Sequence, residues 1–166
     1  MLFELSDNDD TLVAAYQKDL SEKGEFTVND TIKEKLQSLY FGGCCDDKET
    51  LATINKYFTE YGYLCDTHTA VALKVYEEYI AKTADDRVTV IASTASPYKF
   101  ANSVLSAVSD KKADSEFDTV RLLAAETATE IPAPIKALET ATVRFKEICE
   151  KDKMLNSVYA ALNIKE

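Results

Sequence analysis

The chain reads as an α/β protein that is predominantly helical, and three observations carry that reading. Apolar residues recur at helical spacing over most of its 166 residues. The stripes begin at Asp, Asn or Ser residues suited to capping a helix. One β-branched run, Arg87-Val-Thr-Val-Ile-Ala92, breaks the helical period. The length fits a single domain over 1–166 with a substantial core.

The elements follow in order. Leu12, Val13, Tyr16 and Leu20 form the first stripe, and Gly24 is its expected stop. Ile32, Leu36, Leu39 and Tyr40 form a second, opened near Asn29 or Asp30 and closed by Gly42-Gly43. Asp46-Asp-Lys-Glu49 has the form of a capping box, and behind it Leu51, Ile54, Phe58 and Tyr61 share a face. A fourth helix is predicted from Thr67 to about Lys82, with Ala72, Val75, Tyr76, Tyr79 and Ile80 inward.

Residues 87–92 then read as a strand covered on both faces. Ser96 as cap and Pro97 at the first helical position open the next helix, with Phe100, Ala101, Val104, Leu105 and Val108 on its apolar face. Further helices are predicted around Phe117–Ala128 and Asp152–Leu162, with Ile131-Pro-Ala-Pro134 as a break between them. Thr142–Cys149 fits a short strand or a helix equally. A lone strand leaves its ladder groups unpaired, so either further strands lie in the C-terminal third or the strand belongs to a sheet that this chain lacks.

Charge and cysteine usage exclude several classes. Acidic residues outnumber basic ones 29 to 19, a formal net charge of −10, and no basic stripe suits nucleic acid or an anionic membrane surface. No apolar run reaches membrane-spanning length, and the acidic residues after Met1-Leu-Phe-Glu-Leu-Ser do not fit a signal peptide. Cys44, Cys45, Cys65 and Cys149 form no Cys-x-x-Cys pair, and His68 is the one histidine, so no metal site is expected. The four thiols read as reduced, in a cytoplasmic protein.

Two stretches have the form of ligand-site walls. Tyr61-Gly-Tyr-Leu-Cys-Asp-Thr-His-Thr-Ala-Val71 places His68 at a helix start, where unpaired backbone N–H groups suit an anion. Val88-Thr-Val-Ile-Ala-Ser-Thr-Ala-Ser-Pro-Tyr-Lys-Phe100 runs from strand through a polar turn into a helix, the place where α/β proteins gather ligands. Taken singly, His68 reads as a structural or solvent-facing histidine, Thr94 as a turn hydroxyl and Ser96 as a cap. Lys99 reads as a surface lysine set against the helix dipole.

Together the two stretches resemble the C-terminal part of threonine synthase, whose blocks usually read Gly-Tyr-Leu-Leu-Asp-Pro-His-x-Ala-Val and Ala-Thr-Ala-His-Pro-Ala-Lys-Phe. Gly24-Glu-Phe, Leu39-Tyr-Phe-Gly-Gly and Glu130-Ile-Pro extend the likeness over most of the chain. The resemblance implies a portion of a fold-type-II pyridoxal phosphate (PLP) enzyme, contributing a strand and its flanking helices. That family is a lyase of threonine biosynthesis, converting O-phosphohomoserine and water to threonine and phosphate. By resemblance Thr94 is the hydroxyl that hydrogen-bonds the PLP pyridine nitrogen. His68, Lys99 and Ser96 fall at substrate-side positions, and Asp66 caps the helix that carries His68.

Three positions depart from the pattern. Ser96 stands where the family has histidine, Tyr98 where it has a small residue, and Thr67 where it has proline. The Schiff-base lysine and the glycine loop for the PLP phosphate lie upstream of the matched region in the family, so no catalytic residue is expected in this chain. On this reading the chain is a fragment, inactive by itself, whose partner is the missing N-terminal portion or a second copy of itself. A non-catalytic helical interaction or regulatory module is the alternative. A separate small enzyme built on His68 has least in its favour, because no serine or cysteine nucleophile sits in a recognisable context.

Overall fold

The computed structural model describes residues 1–144 and 146–164. Nine α-helices occur among them: α1 Leu2–Leu5, α2 Asp10–Lys23, α3 Asp30–Leu39, α4 Asp47–Tyr61, α5 Thr67–Thr83, α6 Ala101–Val108, α7 Glu116–Thr127, α8 Ala133–Leu138 and α9 Met154–Leu162. Short 3₁₀ turns at Pro97–Phe100 and Lys151–Lys153 lead into α6 and α9.

Cap chemistry fixes most of the helix starts. The Asp9, Asn29 and Ser115 side chains accept the N–H of Leu12, Ile32 and Asp118. At α4 the capping box forms in both directions: Asp46 Oδ1 accepts the Glu49 N–H at 2.7 Å, and Glu49 Oε2 accepts the Asp46 N–H at 3.2 Å. Gly24 and Gly62 close α2 and α4 in the left-handed region, at φ 81° and 65°. Ala84 and Ala128 close α5 and α7 in that region too, at φ 52° and 53°, where a Cβ is crowded.

The core lies among α4, α5, α6 and α7. Ile54, Ala70, Val104 and Leu123 are fully buried, with Leu73, Tyr98, Ala101, Leu105 and Val120 around them. Ion pairs clip α4 to α5: Lys56 to Glu77 at 2.7 Å, and Lys74 to Glu49 at 3.6 Å. Asn55 Nδ2 donates to the Ala107 carbonyl at 2.8 Å, satisfying an end group of α6. In the N-terminal helices Tyr16 stacks on Phe26 at 5.1 Å, and Ile32 is buried. Lys35 Nζ reaches the Leu5 carbonyl and Asp7 Oδ1, each at 3.0 Å, joining α3 to the end of α1.

Several expectations are corrected. Among the described residues there is no β-strand, and 88–94 is irregular chain, with Val88 98% and Val90 89% exposed. A strand needs a neighbour for its backbone groups, and among the described residues no backbone hydrogen bond joins 88–94 to another segment. The helix predicted to run to Gly42-Gly43 ends at Leu39, because Tyr40 is already extended. A Cβ on Gly43 would come 2.8 Å from Val75 Cγ1, so that glycine serves a close approach to α5.

The inward face of α5 is Thr69, Ala70 and Leu73, whereas Ala72 is exposed. Val75, Tyr76 and Tyr79 line an outer groove with Leu39 and Phe41, and the Phe41 and Tyr79 rings meet edge-on at 5.3 Å. α5 is apolar on two faces, and spacing does not tell the core face from the groove face. Tyr61, placed on the inward face of α4 by its spacing, is exposed at the helix end. Pro132 and Pro134 open α8 rather than merely breaking the chain. Residues 142–144 and 146–149 have no regular structure, and Phe145, within that ambiguous stretch, lies outside the described residues.

Candidate functional site

The first block turns on Asp66, whose carboxylate is fully buried at the start of α5. Its Oδ1 accepts the N–H of His68 at 2.9 Å and of Thr69 at 3.3 Å, and its Oδ2 accepts the Thr69 hydroxyl at 2.5 Å. Burial pushes this carboxyl up, but the Thr69 hydroxyl, the two amides and the nearby imidazole together hold it below its ordinary value. A charged Asp66 therefore anchors the helix end, with His68 Nδ1 3.5 Å from Oδ1. The neighbouring Cys65 thiol is pushed up to about 11, chiefly by burial and then by the Asp66 charge.

The His68 ring is exposed and lies 5.0 Å from the Phe100 ring, centroid to centroid. With Phe100 it lines a cleft of about 440 Å³ at the junction of α4, α5 and α6, walled also by Cys45, Thr50, Thr67 and Ser103. The second block approaches from the other side of Phe100. Lys99 Nζ lies 5.5 Å from the same ring, and Lys99 lines a separate cleft with Phe117, Val120 and Ile135. Phe100 thus stands between the two basic side chains, and His68 and Lys99 do not share one cavity.

Ser96 Oγ accepts the Tyr98 N–H at 3.3 Å, which uses the hydroxyl as a cap on the 3₁₀ turn. Thr94 is exposed on the turn before it, and its hydroxyl makes no hydrogen bond among the described residues. Tyr98 does not crowd Ser96. Its ring is buried in the core, and its hydroxyl lies 2.6 Å from Thr129 Oγ1 and donates to the Thr129 carbonyl at 3.1 Å. The bulkier residue at this position therefore fills space between α6 and the turn after α7.

Two further residues belong to the site. Phe100, read from the sequence as an apolar face residue, is the ring shared by His68 and Lys99. Thr69 joins the two blocks, because its Oγ1 lies 3.0 Å from Ser93 Oγ, next to Thr94. The Asp-x-x-Thr spacing of Asp66 and Thr69 is the signal for the first half of that link, since the third helical position faces back to the cap.

PLP needs a donor or acceptor at its pyridine nitrogen and a cradle of N–H groups for its phosphate. An exposed hydroxyl at Thr94 fits the pyridine edge of such a ring. The four glycines are Gly24, Gly42, Gly43 and Gly62; two close helices and Gly43 packs on Val75, and none forms a phosphate cradle. The residues here fit one edge of the cofactor and not the whole of it.

The family described as "Threonine synthase, C-terminal" matches residues 69–158. Human "Threonine synthase-like 1" is 32% identical over 108 residues, which are 65% of this chain and 14% of that protein. Threonine synthase of Saccharomyces cerevisiae is 33% identical over 103 residues, 59% of this chain and 20% of that protein. The crystal structure of PLP-bound threonine synthase from Brucella melitensis superposes with a TM-score of 0.61 at 29% identity, covering 72% of this chain and 26% of that one. The chain thus spans only 14–26% of the length of these relatives.

Proposed function

The chain belongs to the threonine synthase C-terminal family, and from that premise we propose that it acts as the C-terminal portion of a PLP-dependent threonine synthase. It is inactive by itself and completes the site when joined to the rest of the enzyme. The whole would convert O-phosphohomoserine and water to threonine and phosphate in the cytoplasm. PLP, when bound, supplies the electron sink for that chemistry. Thr94 would offer its hydroxyl to the pyridine nitrogen. His68 and Lys99 would offer donor groups on the substrate side, and Ser96 keeps the turn that carries Lys99 capped.

The observation that carries this reading is the segment 88–92. Its Val88 and Val90 side chains are almost wholly exposed, as a sheet strand would be if lifted from its neighbours. On this reading residues 87–92 regain the strand predicted for them by pairing with a sheet supplied by the missing portion. Residues 1–166 form one unit that docks as a whole.

A non-catalytic interaction module is the second reading. The closed core of α4–α7 favours it, as does the neutral hydroxyl of Ser96 in place of an imidazole. Mixing the chain with an N-terminal portion that carries the Schiff-base lysine and glycine loop separates the two. Restored PLP absorbance and phosphate release from O-phosphohomoserine support the enzyme. A well-folded mixture that binds the chain yet releases no phosphate supports the module.

A further inference from the structure

Residues 88–94 run over the helical body as irregular chain, with Ile91 packed against the core, and among the described residues one hydrogen bond ties them to it, between Thr69 Oγ1 and Ser93 Oγ at 3.0 Å. Thr69 is 3% exposed, and the same oxygen stands 2.5 Å from Asp66 Oδ2. A hydroxyl carries one proton, and a carboxylate only accepts. The Thr69 proton therefore goes to Asp66, and the Ser93 hydroxyl donates to Thr69. The sequence of donors runs Ser93, Thr69, Asp66, and ends on a carboxylate that also receives the His68 amide. Charge on Asp66 polarises Thr69 and strengthens the bond from Ser93.

We propose that this hydrogen-bond chain is a pin that sets the Thr94 turn against the His68 end of α5, making Thr69 a positioning residue for the site. The pin fixes the relation between two side chains that come from blocks about 26 residues apart, counted from His68 to Thr94. Valine at position 69 would keep the shape and break both bonds, leaving Asp66 Oδ2 buried without its hydroxyl donor. Serine would keep both. The assignment of Thr94 and His68 as site residues rests on the reading above, whereas the pin is a property of this chain itself.

Nuclear magnetic relaxation of the full chain tests it. In the native protein Thr94 and Ala95 should show backbone order parameters near those of rigid structure, about 0.85, and Ser93→Ala should drop them below about 0.6. Ser93→Ala leaves the Asp66–Thr69 bond intact, so the helices stay folded and serve as the internal control. Thr69→Val should reproduce the loss and Thr69→Ser should restore rigidity. Unchanged order parameters in a folded Ser93→Ala chain would overturn the pin, whatever the complementation experiment gives. A mobile turn in the variant beside failed complementation would retain the pin and remove the enzyme reading.

Discussion

Two regions of this molecule have similar apolar content and opposite fates. In α4–α7 the side chains of Ile54, Val104 and Leu123 are sealed from solvent. In 88–90 and in the irregular stretch after α8, Val88, Val90, Val143 and Ile148 stand in water, with Ile148 97% exposed. Composition does not separate them. The helices satisfy their own backbone groups and need only side-chain partners, which neighbouring helices provide. An extended segment must also find backbone partners, and those come from elsewhere in the fold. Burial here depends on which elements are present to meet a residue, not on how apolar it is.

Mutation should reproduce that contrast. Leu123→Ala should cost about 2–5 kcal/mol in urea unfolding of the chain, as core truncations do. Val88→Ala should stay within about 0.5 kcal/mol. A large loss at Val88 would mean that the segment is already covered, and the contrast would fail. The exposed side also predicts self-association: sedimentation should show mass rising with concentration, and Val88→Lys with Val90→Lys should lower it. A clean monomer at all concentrations would break the comparison from the open side.

The seam between the regions comes next in size. Asp66 is held below its ordinary value of 3.8 when folded, so its contribution is complete above that pH and is lost as pH falls through the folded value. Asp66→Asn keeps a competent cap, so its stability should fall less steeply than the wild type below about pH 4. Parallel acid unfolding curves for the two would remove the carboxylate from the seam. Asp46→Ala, within the closed region, should cost about 1 kcal/mol by loss of a cap. Ala128→Gly should gain a few tenths to about 1 kcal/mol in thermal melts, since a left-handed helix end suits glycine better than alanine.

The helices were legible wherever local chemistry decides. The Asp46–Glu49 box, the Gly24 stop and the face of Phe100, Ala101, Val104 and Leu105 all follow from a few adjacent residues. The orientation of α5 was not, because both of its faces are apolar and the choice rests on distant neighbours. Residues 87–92 carry strand chemistry, yet a strand is a relation between segments. In the site, the cap role of Ser96 was readable from Ser-Pro. The buried course of Tyr98 was not, because it depends on Thr129 across the fold. Phe100 as a divider between His68 and Lys99 likewise emerges only when α5 and α6 are packed.

Cys65 gives the closed region a clock of its own. An alkylating reagent needs the thiolate and a path to it, and a thiol buried beside a charged carboxylate offers neither. Cys44 and Cys149 are exposed and should be modified at once, marking the open surface. Slow labelling of Cys65 would then follow openings of the segment between α4 and α5, with no residue introduced for the purpose.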